Sequence, residues 1–368
     1  MEVYAERTED LPFAHSYPIT EIPVYRNHSW DWVIKNIGTF LFDWKSRYFA
    51  RQVQQRAQGK AYDIVFVSTF QPMPIRAAVQ MAQAQQIPLH IDLRDIDEQT
   101  PTHQYRPHKQ GHLSWVHRWF RAANIRRRNA LIRYANSLSS VSPWHVNLLS
   151  HLHPCVHLVY NGYDEQVFYP ENRPVDEFRI TYTGRIYDRA LQNPILFFEA
   201  LQALRAEGRL PNELHVDWYT DRIGKERVMS WAEQTDTTAL MRFHDFTTPD
   251  AIPAILQESS IVLVASQKSG PQGPHGIMTT KFFEALGVEK PVLCVPSDEE
   301  CLAQVIQQTN AGLAAMNIEE VKRFILDAYA AWKKDGFTRQ AVEPTQKRFF
   351  SRQYQAQQFE HLLSDILR

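Results

Sequence analysis

Residues 261–286, IVLVASQKSGPQGPHGIMTTKFFEAL, decide the fold. The run opens with the apolar segment Ile261–Ala265, as expected for a strand buried on both faces of a parallel sheet. A glycine- and proline-rich loop follows from Gly270, and Thr279, Thr280 and Lys281 then open a helix that continues through Leu286. Strand, glycine-rich loop and helix make the repeating unit of a doubly wound α/β sheet, in which ligands sit beyond the carboxyl ends of the strands.

Outward from this unit, short β-rich runs alternate with helix-length segments. Strands are expected at Asp63–Ser68, Ile87–Leu93, Leu138–Ser142 and Val156–Tyr160. More are expected at Arg179–Thr183, Glu213–Tyr219, Met241–Phe246 and Pro291–Val295. Asn193 as N-cap and Pro194 at the first helical position mark a helix that ends near Gly208. Residues 165–178, rich in turn formers and charge, form a linker. The expectation is an N-terminal domain over residues 1–164 and a C-terminal domain over 179–345, both α/β, Rossmann-like and doubly wound, facing across a cleft. Residues 346–368 read as a helix packing back toward the N-terminal domain, with Phe349, Phe350, Tyr354, Phe359, Leu362 and Leu363 available for contact.

Composition sets the outer bounds. A chain of 368 residues, 44% hydrophobic and 22% charged, folds into two or three domains rather than remaining disordered. Cys155, Cys294 and Cys301 are too few and too irregularly spaced for a disulfide framework or a zinc site, and they fit a reducing compartment. The longest apolar runs are strand-length, and MEVYAERTED lacks the pattern of a signal peptide, so a cytoplasmic address is expected.

The chemistry lies after the strands. Arg179–Thr183 runs into Gly184-Arg185, with Arg189 four residues on. A glycine there lets the backbone approach a ligand, and two arginines so spaced can clamp a diphosphate. The alternative is a purely structural Gly-Arg. At the second strand, the start of the helix at Thr279 and Thr280 offers free N–H groups and a positive dipole end, to which Lys281 adds charge. Glu284, one turn further, is unsuited to phosphate but can accept hydrogen bonds from the vicinal hydroxyls of a ribose. The bland reading is a surface glutamate paired with Lys281.

Taken together, Gly184-Arg185, Gly276 to Glu284 with Ala285-Leu286, and Lys290-Pro291-Val292 resemble the donor half of family 4 glycosyltransferases of the GT-B fold. Ser140-Val141-Ser142, Tyr160-Asn161-Gly162-Tyr163-Asp164 and Phe168-Tyr169-Pro170 match the way that family closes its first domain. The stretch from Tyr62-Asp63-Ile64-Val65 to Asp92-Leu93-Arg94-Asp95 is similar to the acceptor half of members acting in bacterial surface-polysaccharide assembly. The resemblance implies that Arg185 contacts the donor diphosphate, Glu284 the ribose, and Thr279 and Thr280 the distal phosphate. It implies a retaining transferase whose co-substrate is a nucleotide sugar of UDP or GDP type, with no separate cofactor. Two departures stand out: Gly276 occupies a place where the family often has a glutamate near the transferred sugar, and Arg189 stands where a lysine is usual.

Departure of a nucleoside diphosphate builds negative charge on the leaving group, which fixed cations and backbone donors can stabilise. Arg185, Arg189, Lys281 and the helix start are expected to do so. No Asp-x-Asp stands in the pattern expected for a metal–diphosphate site, so metal independence is expected. Arg94, which cannot act as a base, is expected to touch donor phosphate or acceptor, with Asp95 holding it. The alternative is an Asp–Arg pair tying strand to loop. His244 falls where the family recognises the nucleobase, whereas His103, His108 and His112 read as loop residues.

Between Glu98 and Asp164 no acidic residue occurs, and Arg106, Lys109, Arg118, Arg121, Arg126, Arg127, Arg128 and Arg133 are interleaved with Trp115, Trp119 and Phe120. Residues 113–134 read as a helix with one cationic and one aromatic-aliphatic face, of the kind that lies on an anionic membrane surface. Trp30, Trp32 and Trp44 could add interfacial anchors. A glycan or lipid-linked acceptor suits this stretch, and no nucleic acid is expected; a solvated basic helix is the alternative. By comparison with the family, the first strand and glycine-rich loop of the N-terminal domain are expected to be absent. A nucleotide-sugar epimerase on the same fold and a non-catalytic nucleotide-sugar-binding subunit are the rival functions.

Overall fold

The computed structural model describes residues 1–6, 18–24, 38–39, 42–100, 114–187, 189–271 and 273–368. His103, Arg106, His108, Lys109, His112, Trp30 and Trp32 lie outside the described residues.

The chain opens with β1 (Val3–Glu6) and β2 (Ile19–Ile22), which pair in parallel as a two-stranded sheet. A four-stranded parallel sheet follows in the order β3 (Val65–Ser68), β4 (Leu89–Leu93), β5 (Ser137–Ser140), β6 (Val156–Leu158). Among the described residues no strand joins these two sheets. The helices are α1 (Trp44–Ala57), α2 (Pro72–Gln85), α3 (Ser114–Ile132) and α4 (Pro143–Ser150). Ile22 and Val24 are buried with Phe49 and Val53 of α1 and Met73 and Ala77 of α2, so apolar packing on these helices places the small sheet.

The C-terminal sheet contains β7 (Phe178–Thr183), β8 (Leu214–Tyr219), β9 (Met241–His244), β10 (Ile261–Ala265), β11 (Val292–Val295) and β12 (Gly312–Ala314). Its order is β12-β11-β10-β7-β8-β9, all parallel. This is the doubly wound order, and the reversal falls between β7 and β10, where such sheets open a crevice. Every residue of β10 is buried, which explains its unbroken apolar run. Helices α5 (Ile195–Ala206), α6 (Arg222–Gln234), α7 (Ile252–Gln257), α8 (Thr280–Val288), α9 (Cys301–Thr309) and α10 (Ile318–Asp335) flank it. Trp218 is fully buried and stacks on Phe198 at 5.9 Å, anchoring α5 to the sheet. Truncating either ring would cost about 3–5 kcal/mol.

Every strand expected from residue 63 onward forms, most of them shorter at one or both ends. The helix at 193 starts later than expected: Pro194 takes the N-cap position, and Asn193 uses its backbone N–H on Ser266 O at 2.8 Å instead of capping. The closing segment is broken rather than continuous. It comprises α11 (Pro344–Lys347), a 3-10 turn at Arg348–Phe350 and α12 (Arg352–Leu367). The break falls at Ser351, whose hydroxyl caps α12 by accepting from Tyr354 N at 3.1 Å while its backbone bridges to Tyr163. From α12, Phe359 meets Phe66 and His90 of the N-terminal sheet edge-on, at 5.6 and 6.0 Å.

Candidate active site

The two segments singled out in the sequence flow from β7 and β10, the strands on either side of the topological switch. β7 ends in Gly184-Arg185, and the loop after β10 leads into α8. Gly184 has φ 107° and faces Lys281: a Cβ added at Gly184 would stand 2.7 Å from Lys281 Cε. Only glycine lets the ammonium stem pass so close to the chain. Lys281 Nζ also lies 5.4 Å from the centroid of the buried Tyr182 ring. Burial pushes the Lys281 ammonium below its ordinary pKa and the Glu284 carboxyl above its own, with Lys281 and Arg352 opposing the latter. A cation held with its charge poorly solvated gains most when an anion arrives. Thr279 occupies the N-cap of α8 in extended conformation, with no side-chain cap bond, leaving its hydroxyl at the helix start beside Thr280.

Around the crevice, the ends of β8 and β9 add an aromatic and ionic rim. Arg185 is exposed, approaches Asp221 at 3.5 Å and lies over the Phe246 ring at 5.7 Å. Phe246 is 57% exposed, an aromatic face open to a planar ligand. His244 stacks on Tyr219 at 4.3 Å and pairs through Nε2 with Asp217 at 2.8 Å. Arg189 does not join Arg185 on a common partner; its guanidinium lies 5.8 Å from the Trp231 ring of α6.

Gly276 faces the other domain. Its φ is 63°, and an added Cβ would stand 2.6 Å from Ser142 Oγ and 3.1 Å from Trp144 Cβ. A side chain at 276 has no room there. Instead Glu300 accepts from Gly276 N at 2.8 Å, from His275 Nδ1 at 3.0 Å and from Ser269 Oγ at 3.2 Å. Glu300 thereby fixes the loop before α8, a role the sequence reading missed because the glutamate lies 24 residues away.

On the N-terminal domain the structure corrects the expected partner of Arg94. Asp92, 2% exposed, holds it: Arg94 Nε lies 3.2 Å from Asp92 Oδ2, and Nη1 donates to Val159 O at 3.1 Å. Asp95 is exposed and accepts from Gln99 Nε2 at 3.0 Å. The backbone carbonyl of Gln99 in turn accepts from His275 N at 2.7 Å, so the residue that holds Asp95 also bonds to the opposite domain. Behind Asp92 runs a polar chain, buried at His90, Ser137 and Ser139. Ser139 Oγ donates to Asp92 at 2.7 Å, Ser68 Oγ donates at 2.9 Å, and His90 Nε2 meets Ser139 at 3.0 Å. His90 Nδ1 meets Ser137 Oγ at 2.6 Å. The signal was in the sequence as period-2 polarity: His90, Asp92 and Arg94 on one strand, opposite Ser137 and Ser139 on the next. The chain's Asp-x-Asp, Asp95-Ile96-Asp97, belongs to this domain, where Asp97 O accepts from Arg121.

The basic helix α3 also differs from expectation. Arg121 and Arg128 are committed inward, to Asp97 O and Glu98, and Arg127 donates to Thr39 O. Trp115 and Trp119, 59% and 62% exposed, instead share the outer face with Arg118, Arg126 and Arg133. Cationic and aromatic residues form one mixed stripe because the spacing 115, 119, 126, 133 stays on one side of an α-helix. No helix among the described residues is long and apolar enough to cross a membrane.

No family model matches the chain, and no curated protein does. Solved structures do. Sucrose-phosphate synthase from Thermosynechococcus elongatus superposes with TM-score 0.67 at 15% identity, over 99% of this chain and 88% of that one. Anabaena HepE in complex with UDP-glucose gives 0.63 at 13% identity, covering 99% of both chains. A glycosyltransferase from Rickettsia africae gives 0.61 at 13% identity, over 95% and 86%. With the doubly wound sheet order and the site at its switch point, these likenesses identify the architecture: the chain has the two-domain fold of the GT-B glycosyltransferases.

Proposed function

We propose that this chain is a retaining, metal-independent glycosyltransferase that moves a sugar from a UDP- or GDP-type donor to a glycan or lipid-linked acceptor, in bacterial cell-surface polysaccharide biosynthesis. The observation that carries the reading is the convergence of Gly184 and Lys281 at the sheet's switch point, with Glu284 one turn along α8. A diphosphate at the start of α8 meets Lys281, the hydroxyls of Thr279 and Thr280 and free backbone N–H groups. Arg185 closes the crevice from β7, and Glu284 accepts from the ribose. As the sugar–phosphate bond breaks, these cations take up the charge of the leaving group. Phe246 and the His244–Tyr219 pair offer surfaces for the base. The likeness to HepE, which was solved with UDP-glucose, favours a UDP-type donor. Arg94, held by Asp92, serves the acceptor side.

The mixed stripe of Trp115, Trp119, Arg118, Arg126 and Arg133 suits peripheral docking on an anionic membrane, at about 1 kcal/mol per basic residue near the surface. A calorimetric screen of UDP, GDP, ADP and their sugars, with and without magnesium, tests the donor assignment. One nucleotide is expected to bind selectively without the metal, and to be lost in Glu284→Ala and Arg185→Ala. A folded protein that binds none of them would sink the proposal.

A further inference from the structure

A groove of about 410 Å³ opens on the N-terminal domain between α3, α4 and the turn after β4. We propose that it is a subsite for one sugar ring of the acceptor glycan. The term acceptor rests on the glycosyltransferase reading above; the sugar rests on the groove's own chemistry. Its size lies within the usual range of small-ligand sites, roughly 300–1,000 Å³.

One wall is a face of α4. Trp144, Asn147, Leu148 and His151 follow the spacing that places side chains one above another on a helix, and all four line the groove. The indole and Leu148 give apolar surface for the C–H face of a pyranose, with the Asn147 amide and His151 imidazole beside it. His151 Nδ1 donates to Asn147 O at 2.7 Å, which leaves Nε2 as an acceptor directed elsewhere.

The opposite wall is preorganised by a buried guanidinium. Arg128, 2% exposed, donates Nη1 and Nη2 to the two carboxylate oxygens of Glu98 at 2.7 and 2.5 Å. Its Nε and Nη2 donate to Asn129 Oδ1 at 3.1 and 2.7 Å. Each Glu98 oxygen retains a lone pair and the Asn129 amide retains its N–H donors, so fixed acceptors and donors stand side by side. Vicinal hydroxyls, which donate and accept at once, match that pairing. An anion does not: four of the five Arg128 N–H donors are spent on Glu98 and Asn129, the guanidinium itself is buried, and the Glu98 carboxylate repels negative charge. The groove begins where the domains meet, because Trp144 also stacks on His275 of the loop leading to α8.

The test uses the full chain, with methyl glycosides of glucose, galactose, mannose and N-acetylglucosamine and their disaccharides as probes. Methyl-labelled Leu148 and Leu152 report on the groove by NMR. At least one glycoside is expected to shift both resonances. Asn147→Ala and His151→Ala, at exposed positions, are each expected to weaken it about tenfold, one hydrogen bond's worth, with nucleotide binding unchanged. Glycosides that leave both methyl groups unmoved, or that bind the variants as well as the wild type, overturn the proposal. If a glycoside titrates the groove while no nucleotide binds, the sugar site stands and the glycosyltransferase reading falls.

Discussion

The indole of Trp144 and the imidazole of His275 lie parallel across the domain boundary, 5.0 Å between centroids and 7° between planes. With His275 N bonded to Gln99 O and Nδ1–H to Glu300, the loop leading to α8 is fixed against the N-terminal domain before any ligand binds. Preorganisation of that kind shows up in affinity. His275→Ala removes a ring pair worth about 0.5–1.5 kcal/mol. Donor KM is expected to rise about threefold to tenfold with kcat largely retained, and His275→Phe to restore it. Steady-state kinetics with an unchanged donor KM in His275→Ala would show that the loop is held without the stack.

Gly184→Ala tests the closest approach in the crevice. The alanine would stand strained at φ 107° and drive the Lys281 stem away. Donor binding is expected to fall by more than about tenfold, through strain of roughly 1–3 kcal/mol and a displaced cation. Calorimetry against the wild type decides it. Equal affinity would mean that Lys281 does not face the donor.

Asp92, rather than its neighbour Asp95, is expected to govern Arg94. Asp92→Asn removes the charge that Arg94 faces at 3.2 Å, and kcat/KM should drop about tenfold to a hundredfold. Asp95→Asn, at an exposed position, should change it little. In the Arg94→Ala background Asp92→Asn should add no further loss, because the two would act as one unit. Full additivity in that double-mutant cycle would show that Asp92 acts on stability alone.

The parts of the molecule that were legible in the sequence are those in which local pattern and tertiary role coincide. Ile261–Ala265 is apolar because β10 is central, so its bounds and burial could be read directly. Gly312–Ala314 was missed because a three-residue edge strand that opens on glycine carries no β-branched or aromatic residue. Arg94 was found but its partner misassigned: adjacency in sequence suggested Asp95, whereas strand alternation sends Asp92 to the same side as Arg94. The α3 arginines were counted as one cationic face, although Arg121 and Arg128 are consumed by groups about one loop away, which no helical wheel displays. The hold of Glu300 on the loop before α8 was invisible for the same reason, since that contact is made only by the tertiary fold.

Acid stability should be governed by two histidines that the fold keeps neutral. Ser139 spends its proton on Asp92, so His90 must donate from Nε2 and accept at Nδ1 from Ser137. Ser140 spends its proton on Leu93 O, so His145 must donate from Nδ1, and its buried Nε2 lone pair has no partner among the described residues. Protonating either ring would bury a charge, and at His145 the new Nε2–H would meet no acceptor among the described residues. Burial accordingly pushes both pKa values down to about 4, with His157 adding to the effect at His90. Between about 4 and the ordinary 6.5 the unfolded chain binds these protons and the native chain does not. Stability therefore rises with pH through that window, is complete above it, and is lost as the pH falls. A displacement of this size is worth about 3 kcal/mol per histidine. Urea unfolding across the window should give a steep slope for the wild type and a flatter one for His90→Gln and for His145→Asn, whatever their stability at neutral pH. Parallel slopes in all three would show that neither imidazole is held neutral by the fold.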